Sequence, residues 1–241
     1  LISNNKILNS KIKKIEIKNK KNTFFKLFKS ITFNIIVFFL EKKISSKKNF
    51  LASDKLTFID TFIGYDSNLK DFVYSDLYKI LKKKRETKVY FVTNFLVNRD
   101  IFNLIKSLLV LSKKNYIFKE QYLNLKEFFH CLYMTFNSFS VAKQNKYEKY
   151  NEIDCSPIIQ EELFSKKEFH SELESRLKFF FIKNLKLENL KIKKVIGRFE
   201  NQSVDKAWNY GFRRYFPKTE VLGYQGFLYY PHLTNQTPTM Y

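Results

Sequence analysis

Two polar turns near the carboxyl end of the chain contain the residues best suited to chemistry. The first turn is Glu200-Asn201-Gln202 and the second is Gly223-Tyr224-Gln225-Gly226. Each follows a predicted strand within residues 193–230, a segment with the spacing of one βαβ unit of about 30 residues. In open α/β sheets, ligands bind at the carboxyl ends of the strands. The two turns are therefore predicted to lie side by side at a ligand-binding edge.

The carboxylate of Glu200 has two chemical uses at such an edge. It can accept a hydroxyl proton as a general base or hydrogen-bond a sugar, and the residue types alone leave these uses and a loop-bracing role open. The helix that begins after this turn presents unpaired N–H groups, which suit an anion or sugar hydroxyls. Arg213 lies near the far end of that helix, where a cation is favourable without a ligand and could also reach back to an acidic one.

The second turn is flanked by Gly223 and Gly226, which allow the backbone to approach a ligand closely. A GxxG pattern alone is weak evidence for a site, and its weight comes from its position beside the Glu200 turn. The aromatic residues Trp208 and Phe212 are spaced four apart on the intervening helix. That spacing predicts that they pack in the core rather than bind a ligand.

The elements that would position these turns alternate between strands and helices. The predicted strands are Leu56–Ile63, Val89–Thr93, Tyr116–Phe118, Val195–Phe199 and Thr219–Leu222. The predicted helices are Leu69–Lys84, Arg99–Ser112, Leu123–Lys143 and a segment from Pro157 to Leu190. This alternation predicts a parallel sheet wrapped by helices. Acidic residues on the last helix, including Glu172 and Glu174, are predicted to form a solvated face with i,i+4 pairs.

The segment FENQSVDKAWNYGFRRYFPKTEVLGYQGFLYYP resembles the ENQ to GYQH region of bacterial surface-carbohydrate biosynthesis proteins, which are similar to GT-B glycosyltransferases. The stretches FIDTFI, KVYFVTNF and NYIFKEQYL also resemble that family, so the likeness covers roughly residues 56–241. The resemblance implies an α/β fold over residues 51–241: a Rossmann-like parallel sheet flanked by helices, equivalent to the amino-terminal half of a GT-B enzyme. Residues 1–50 would be an additional basic, helical segment.

The resemblance also implies a cytoplasmic enzyme that moves a sugar from a nucleotide donor to a lipid-linked or growing glycan. This chain would be the acceptor half of a longer protein, and the nucleotide sugar would bind the missing half, so no cofactor is expected here. Glu200 is the predicted catalytic residue, and Gly226 stands where many family members carry His. The predicted substrate-binding residues are Asn201, Gln202, Lys206, Gly223, Tyr224 and Gln225, together with Arg213 and Gly226.

The net charge of +21 raises a different possibility, a non-catalytic protein that binds nucleic acid or membranes. Only six of the 44 basic residues are Arg, and Lys, Asn, Ile, Phe and Tyr are all frequent, which indicates a coding bias. Nucleic acid is therefore not the expected partner. The charge is concentrated in residues 1–50, which hold 13 Lys and two Glu.

The most apolar run, Phe24–Leu40, is 17 residues long and contains two lysines. It falls short of the roughly 20 apolar residues that span a bilayer. The first expectation is a buried or surface-docked helix, and the alternative is an interfacial helix on anionic lipid, which would make the protein peripheral on the inner membrane. The two cysteines and three histidines have neither disulfide-framework nor metal-site spacing, so no metal is expected.

Overall fold

The computed structural model of the chain describes residues 28–51, 53–63, 87–95, 101–144, 149–150, 153–154, 166–199 and 202–224. The helices are α1 (28–44), α2 (Ile101–Ser112), α3 (Leu125–Gln144), α4 (Lys166–Leu187) and α5 (Ser203–Tyr215). The strands are β1 (Lys55–Ile63), β2 (Lys88–Phe95), β3 (Tyr116–Ile117), β4 (Lys149–Tyr150), β5 (Ile153–Asp154), β6 (Lys191–Arg198) and β7 (Glu220–Tyr224), with a 3-10 turn at Lys119–Tyr122.

The chain divides into two compact units, residues 1–37 with 132–170 and residues 38–131 with 171–241. A five-stranded sheet in the order β3-β2-β1-β6-β7 lies in the second unit, and all its neighbouring strands are parallel. The short antiparallel pair of β4 and β5 lies in the first unit. The predicted α/β fold, a Rossmann-like parallel sheet flanked by helices, is confirmed.

The strands and helices differ from the predicted bounds by a few residues, most relevantly at the end of β7. Strand β7 continues to Tyr224 instead of ending at Leu222, because its pairing with β6 continues through Gly223. The predicted helix over residues 69–84 and the predicted helix start at Pro157 lie outside the described residues.

Strand β1 is the central strand of the sheet, and its apolar side chains are buried on both faces. Leu56, Phe58 and Ile59 have no exposed surface, as expected for a parallel strand covered by helices on each side. On one face, Ile59 packs in a cluster with Val89, Phe91 and Ile196. Because both faces of the strand are buried, it appears in the sequence as a nearly continuous apolar run, and such runs predict the sheet.

Helices α2 and α5 cover opposite faces of the sheet. The chain moves outward from the centre in one direction through β2, α2 and β3, and in the other through β6, α5 and β7. Because such crossovers are almost always right-handed, opposite directions place the two helices on opposite faces. The strand order therefore reverses between β1 and β6.

Two glycines allow α5 to pack closely against its neighbours. A methyl group at Gly197 of β6 would lie 2.8 Å from Cδ1 of Trp208, and one at Gly211 would lie 2.7 Å from Cδ1 of Ile182 on α4. Trp208 and Phe212 are fully buried with ring centroids 4.7 Å apart, which confirms their predicted core role. Helix α5 is thus held against both β6 and α4.

A buried cluster of charged side chains joins α1, the 3-10 turn and α4. Lys119 Nζ lies 2.9 Å from Glu120 Oε1 and 2.8 Å from Glu174 Oε2, and Glu41 is buried beside them. The predicted solvated position of Glu174 is therefore wrong, because its carboxylate is needed to pair a buried lysine. The predicted i,i+4 pairing is found instead between Glu172 and Arg176.

The cluster holds more carboxyl groups than cations, which affects proton binding. Burial raises the pKa of Glu41 well above its ordinary value of 4.5, and the neighbouring Glu120 carboxylate raises it further. Burial alone would lower the pKa of Lys119, but the carboxylates of Glu120, Glu174 and Glu41 outweigh it and raise that pKa well above its usual range. Both shifts act in the same sense, because each favours the protonated form: the neutral acid of Glu41 and the charged ammonium of Lys119.

Glu41→Gln is expected to stabilise the protein at neutral pH and to leave it unchanged in acid. Glu41 releases its proton near its ordinary pKa of 4.5 in the unfolded chain, but only at higher pH in the folded protein, where its pKa is raised. The free energy of unfolding of the wild type therefore falls as pH rises, by about 1.4 kcal/mol for each unit by which the two pKa values differ. The variant has no carboxyl group at this position, so its free energy of unfolding should not show this decrease. Urea unfolding of both proteins between mildly acidic and neutral pH measures the difference.

The exposed Glu188→Gln variant is the matched control and should follow the pH dependence of the wild type. Parallel pH profiles for wild type and Glu41→Gln would contradict the assigned proton on Glu41.

Candidate functional site

The carboxyl ends of β1 and β6 form the point at which the strand order of the sheet reverses. In open α/β sheets such a switch point leaves a crevice where ligands bind. Strand β6 ends at Arg198, whose guanidinium carbon lies 4.8 Å from the centroid of the Phe62 ring on β1. A half-buried cation stacked on an aromatic ring therefore lies across the switch point.

A fully buried ion pair lies on β1 just below this edge. Lys178 Nζ of α4 donates to both carboxylate oxygens of Asp60, at 2.9 and 2.8 Å, and neither side chain has exposed surface. Nδ2 of Asn94, near the end of β2, donates to Asp60 Oδ1 at 2.6 Å. Burying two charges costs several kcal/mol of desolvation per ion, which the close pairing and the added hydrogen bond offset. Three elements thus converge on the Asp60 carboxylate.

Two buried polar atoms around this ion pair lack a hydrogen-bond partner among the described residues. They are the acceptor Oδ1 of Asn94 and the donor Nε1 of Trp208, whose ring lies 5.4 Å from Lys178 Nζ. An unsatisfied buried group costs about 1–3 kcal/mol, so such groups are rare and call for a partner. Asn94 therefore offers a hydrogen-bond acceptor and Trp208 a donor. A hydroxyl group or a water molecule can bond to either, because each can both donate and accept.

The predicted residues Gln202 and Lys206 lie at the start of α5. Gln202 is exposed and precedes the first helical residue, and its N–H donates to Oδ2 of the buried Asp205 at 3.4 Å. Lys206 is also exposed, with its N–H bonded to the carbonyl of Gln202. The predicted catalytic Glu200 and its neighbour Asn201 lie outside the described residues, between Phe199 and Gln202 in the sequence.

The strand ends that lead into the two predicted turns are adjacent. Arg198 pairs with Tyr224 across β6 and β7, and the Phe199 N–H donates to the Tyr224 carbonyl at 2.9 Å. Gly223 lies inside β7, where a methyl group would be 3.0 Å from Cβ of Phe199. The Phe199 side chain therefore accounts for this glycine without a ligand. Gln225 and Gly226 lie outside the described residues.

Arg213 is placed at the opposite end of α5 from Gln202. The helix runs away from the carboxyl edge of the sheet, and eleven residues separate the two, or about 16 Å along the axis. Arg213 is exposed there. The structure therefore brings Gln202, Lys206 and Tyr224 to the carboxyl edge and leaves Arg213 distant from it.

Sequence reasoning missed Asp60, Asn94 and Lys178. A signal existed for Asp60, because a lone carboxylate within the apolar strand LTFIDTFI requires a buried partner. Asn94 follows the apolar run VYFVT at a strand end, where polar side chains reach a ligand edge. Lys178 carried no such signal, since it lies among other charged residues of a long helix.

Lys178→Met is expected to destabilise the protein by about 3–5 kcal/mol, because it leaves the Asp60 carboxylate buried without a counter-charge. Asp60→Asn combined with Lys178→Met removes that charge and should recover a large part of the loss. Urea unfolding of the two variants measures both effects.

The control is Lys47→Met, which breaks the exposed Lys47–Glu188 pair and should cost less than about 1 kcal/mol. Equal losses for Lys178→Met and Lys47→Met would show that the Asp60 pair is not a buried, essential interaction.

Comparisons of the chain with protein-family models, curated proteins and solved structures found no match.

Proposed function

We propose that this chain is the acceptor-binding half of a glycosyltransferase-like enzyme of surface polysaccharide synthesis. The enzyme transfers a sugar from a nucleotide donor to a lipid-linked or growing glycan. The observation that carries the proposal is the placement of the segment with the family resemblance. It contains the end of β6, α5 and β7. Its first motif follows β6, which borders the switch point, and its second begins in the last two residues of the neighbouring strand β7.

The residues at this edge have the chemistry that a phosphorylated glycan requires. Arg198 provides a charged, planar donor, and Lys206 adds a second cation near the start of α5. The first N–H groups of that helix favour an anion, such as the phosphate that links a sugar to a lipid. The ring of Phe62 offers an apolar surface next to Arg198. Together these groups suit an acceptor that is part sugar and part phosphate.

Glu200 is assigned to the reacting hydroxyl in this proposal. Its carboxylate takes the proton from the acceptor hydroxyl as that oxygen attacks the sugar, or it holds the hydroxyl in position by a hydrogen bond. The Asp60–Lys178 pair has a positioning role in this proposal. By joining β1, β2 and α4, the pair fixes the strand ends on which the acceptor would rest.

We assign the reaction to the cytoplasm, with the enzyme peripheral on the inner membrane, since nucleotide sugars and lipid-linked acceptors would meet there. None of the helices in the described part of the chain is long and apolar enough to cross a membrane.

Arg198→Gln is expected to weaken binding of sugar 1-phosphates by about tenfold or more, because a hydrogen bond to a charged group contributes about 1.5–3 kcal/mol. The probes are glucose 1-phosphate, galactose 1-phosphate and N-acetylglucosamine 1-phosphate, with affinities measured by calorimetry. Arg213→Gln removes the same charge at the far end of α5 and should leave the affinity unchanged. Equal weakening in both variants, or no binding of any probe by the wild type, would contradict an acceptor site at the switch point.

Glu200→Gln in the full-length protein is expected to reduce sugar transfer by about 10²–10⁴-fold, the usual contribution of a general base. The reaction is followed with radiolabelled UDP-glucose, UDP-N-acetylglucosamine and GDP-mannose and a bacterial lipid extract. A fall in kcat at constant KM identifies a base, whereas a rise in KM identifies an anchor. Transfer at the wild-type rate, with unchanged thermal unfolding, would remove Glu200 from the mechanism.

A further inference from the structure

Helix α1 has its polar side buried and part of its apolar side exposed. Its buried positions include Ser30, Asn34 and Glu41, while Phe28, Ile36 and Phe39 are exposed. The ordinary amphipathic helix of a globular protein has the opposite arrangement. An apolar side that faces outward in this way marks a surface that something else covers.

Specific contacts fix the polar side of α1 against the protein. Asn34 Nδ2 donates to the Ser30 carbonyl at 2.7 Å, and its Oδ1 lies 3.0 Å from Nδ1 of His170. Near the end of the helix, Gln121 Nε2 donates to the carbonyls of Glu41 and Ser45, each at 2.8 Å. A rotation that buried the apolar side would break these contacts. The outward orientation of the apolar side is therefore built into the fold.

Within the second unit, helix α3 adds to this apolar side. Phe38 of α1 stacks on Phe128 of α3 with ring centroids 4.0 Å apart, and the residues that follow them, Phe39 and Phe129, are 47% and 50% exposed. Leu125 of α3 is exposed as well. We call Phe39, Leu125 and Phe129 the aromatic face.

Positive charge accompanies the aromatic face. Lys42 and Lys43 come three and four residues after Phe39 on α1, and Lys42 Nζ lies 5.6 Å from the Phe38 ring. Glu41, the acidic residue that precedes these lysines in α1, is buried in the Lys119 cluster. Exposed apolar side chains beside Lys42 and Lys43 complement a surface that has a negatively charged outer layer over an apolar interior.

We propose that the aromatic face docks the protein onto an anionic lipid bilayer, with α1 lying in the plane of the interface. The side chains would enter the boundary between headgroups and acyl chains, while the lysines contact anionic headgroups. A second copy of the chain is a poorer occupant, because like charges around two identical faces would repel each other. Docking is independent of sugar transfer, since it requires neither donor nor acceptor.

Binding to vesicles without any sugar or nucleotide tests the docking separately from the proposed enzyme activity. The wild-type chain is sedimented with phosphatidylcholine vesicles that contain or lack phosphatidylglycerol. Binding is expected only with phosphatidylglycerol and should weaken as salt is added. The double variant Phe39→Ser/Phe129→Ser should bind at least about tenfold more weakly, because each side chain buries a large apolar ring. Lys42→Gln/Lys43→Gln should lose roughly fivefold per removed charge.

Phe102→Ser is the matched control, since Phe102 is also a largely exposed phenylalanine, 79% exposed, but lies on α2 and is not part of the aromatic face. It should bind anionic vesicles like the wild type, and circular dichroism should show that all variants remain folded.

Failure of the folded wild type to bind anionic vesicles would overturn the proposal, as would unchanged binding by Phe39→Ser/Phe129→Ser. Light scattering provides one further outcome. A dimer that the double variant abolishes, without vesicle binding by the wild type, would also overturn the proposal and assign the aromatic face to a second copy of the chain.

Discussion

The need to pair buried charges on helix α4 is the constraint on which the rest of the structure depends. Glu174 and Lys178 are four residues apart and lie on one side of the helix, where Glu174 pairs with Lys119 and Lys178 pairs with Asp60. A shift of α4 by one residue would separate both pairs and leave buried charges unpaired, at a cost of several kcal/mol each. The two pairs therefore fix the position of α4 along the sheet far more strictly than apolar packing alone would.

The position of α4 in turn determines where the end of β6 and helix α5 lie. Helix α5 packs on α4 where Gly211 makes room for Ile182, and on β6 where Gly197 makes room for Trp208. Because Trp208 also flanks Lys178, the ion pair, the tryptophan and the end of β6 form one rigid arrangement.

The sheet could be predicted from sequence because buried parallel strands are nearly continuous apolar runs, as in LTFIDTFI and VYFVT. The charged assembly could not, because Glu174 and Lys178 have the same i,i+4 spacing whether they face water or a buried partner. Only the partners distinguish the two cases, and Lys119 and Asp60 are distant in sequence. The sequence likewise predicts a turn at Gly223, whereas this glycine lies inside β7, where the Phe199 side chain leaves little room for a Cβ atom. Local patterns thus predicted the elements, while the long-range contacts that select their exposed sides were missed.

In helix α1, too, the sequence composition indicates a helix but does not indicate which side of it is buried. Its apolar residues indicate a helix that avoids water, but they do not determine which side meets the protein. Glu41 decides this, since it must lie in the cluster around Lys119 and cannot do so if Phe39 is turned inward. The buried carboxyl group that orients α1 therefore also keeps the aromatic face outward. Rotation of the helix would have to break the Asn34–His170 contact and the Gln121 hydrogen bonds as well as the Lys119 cluster, so the aromatic side chains stay outward as long as these polar contacts hold.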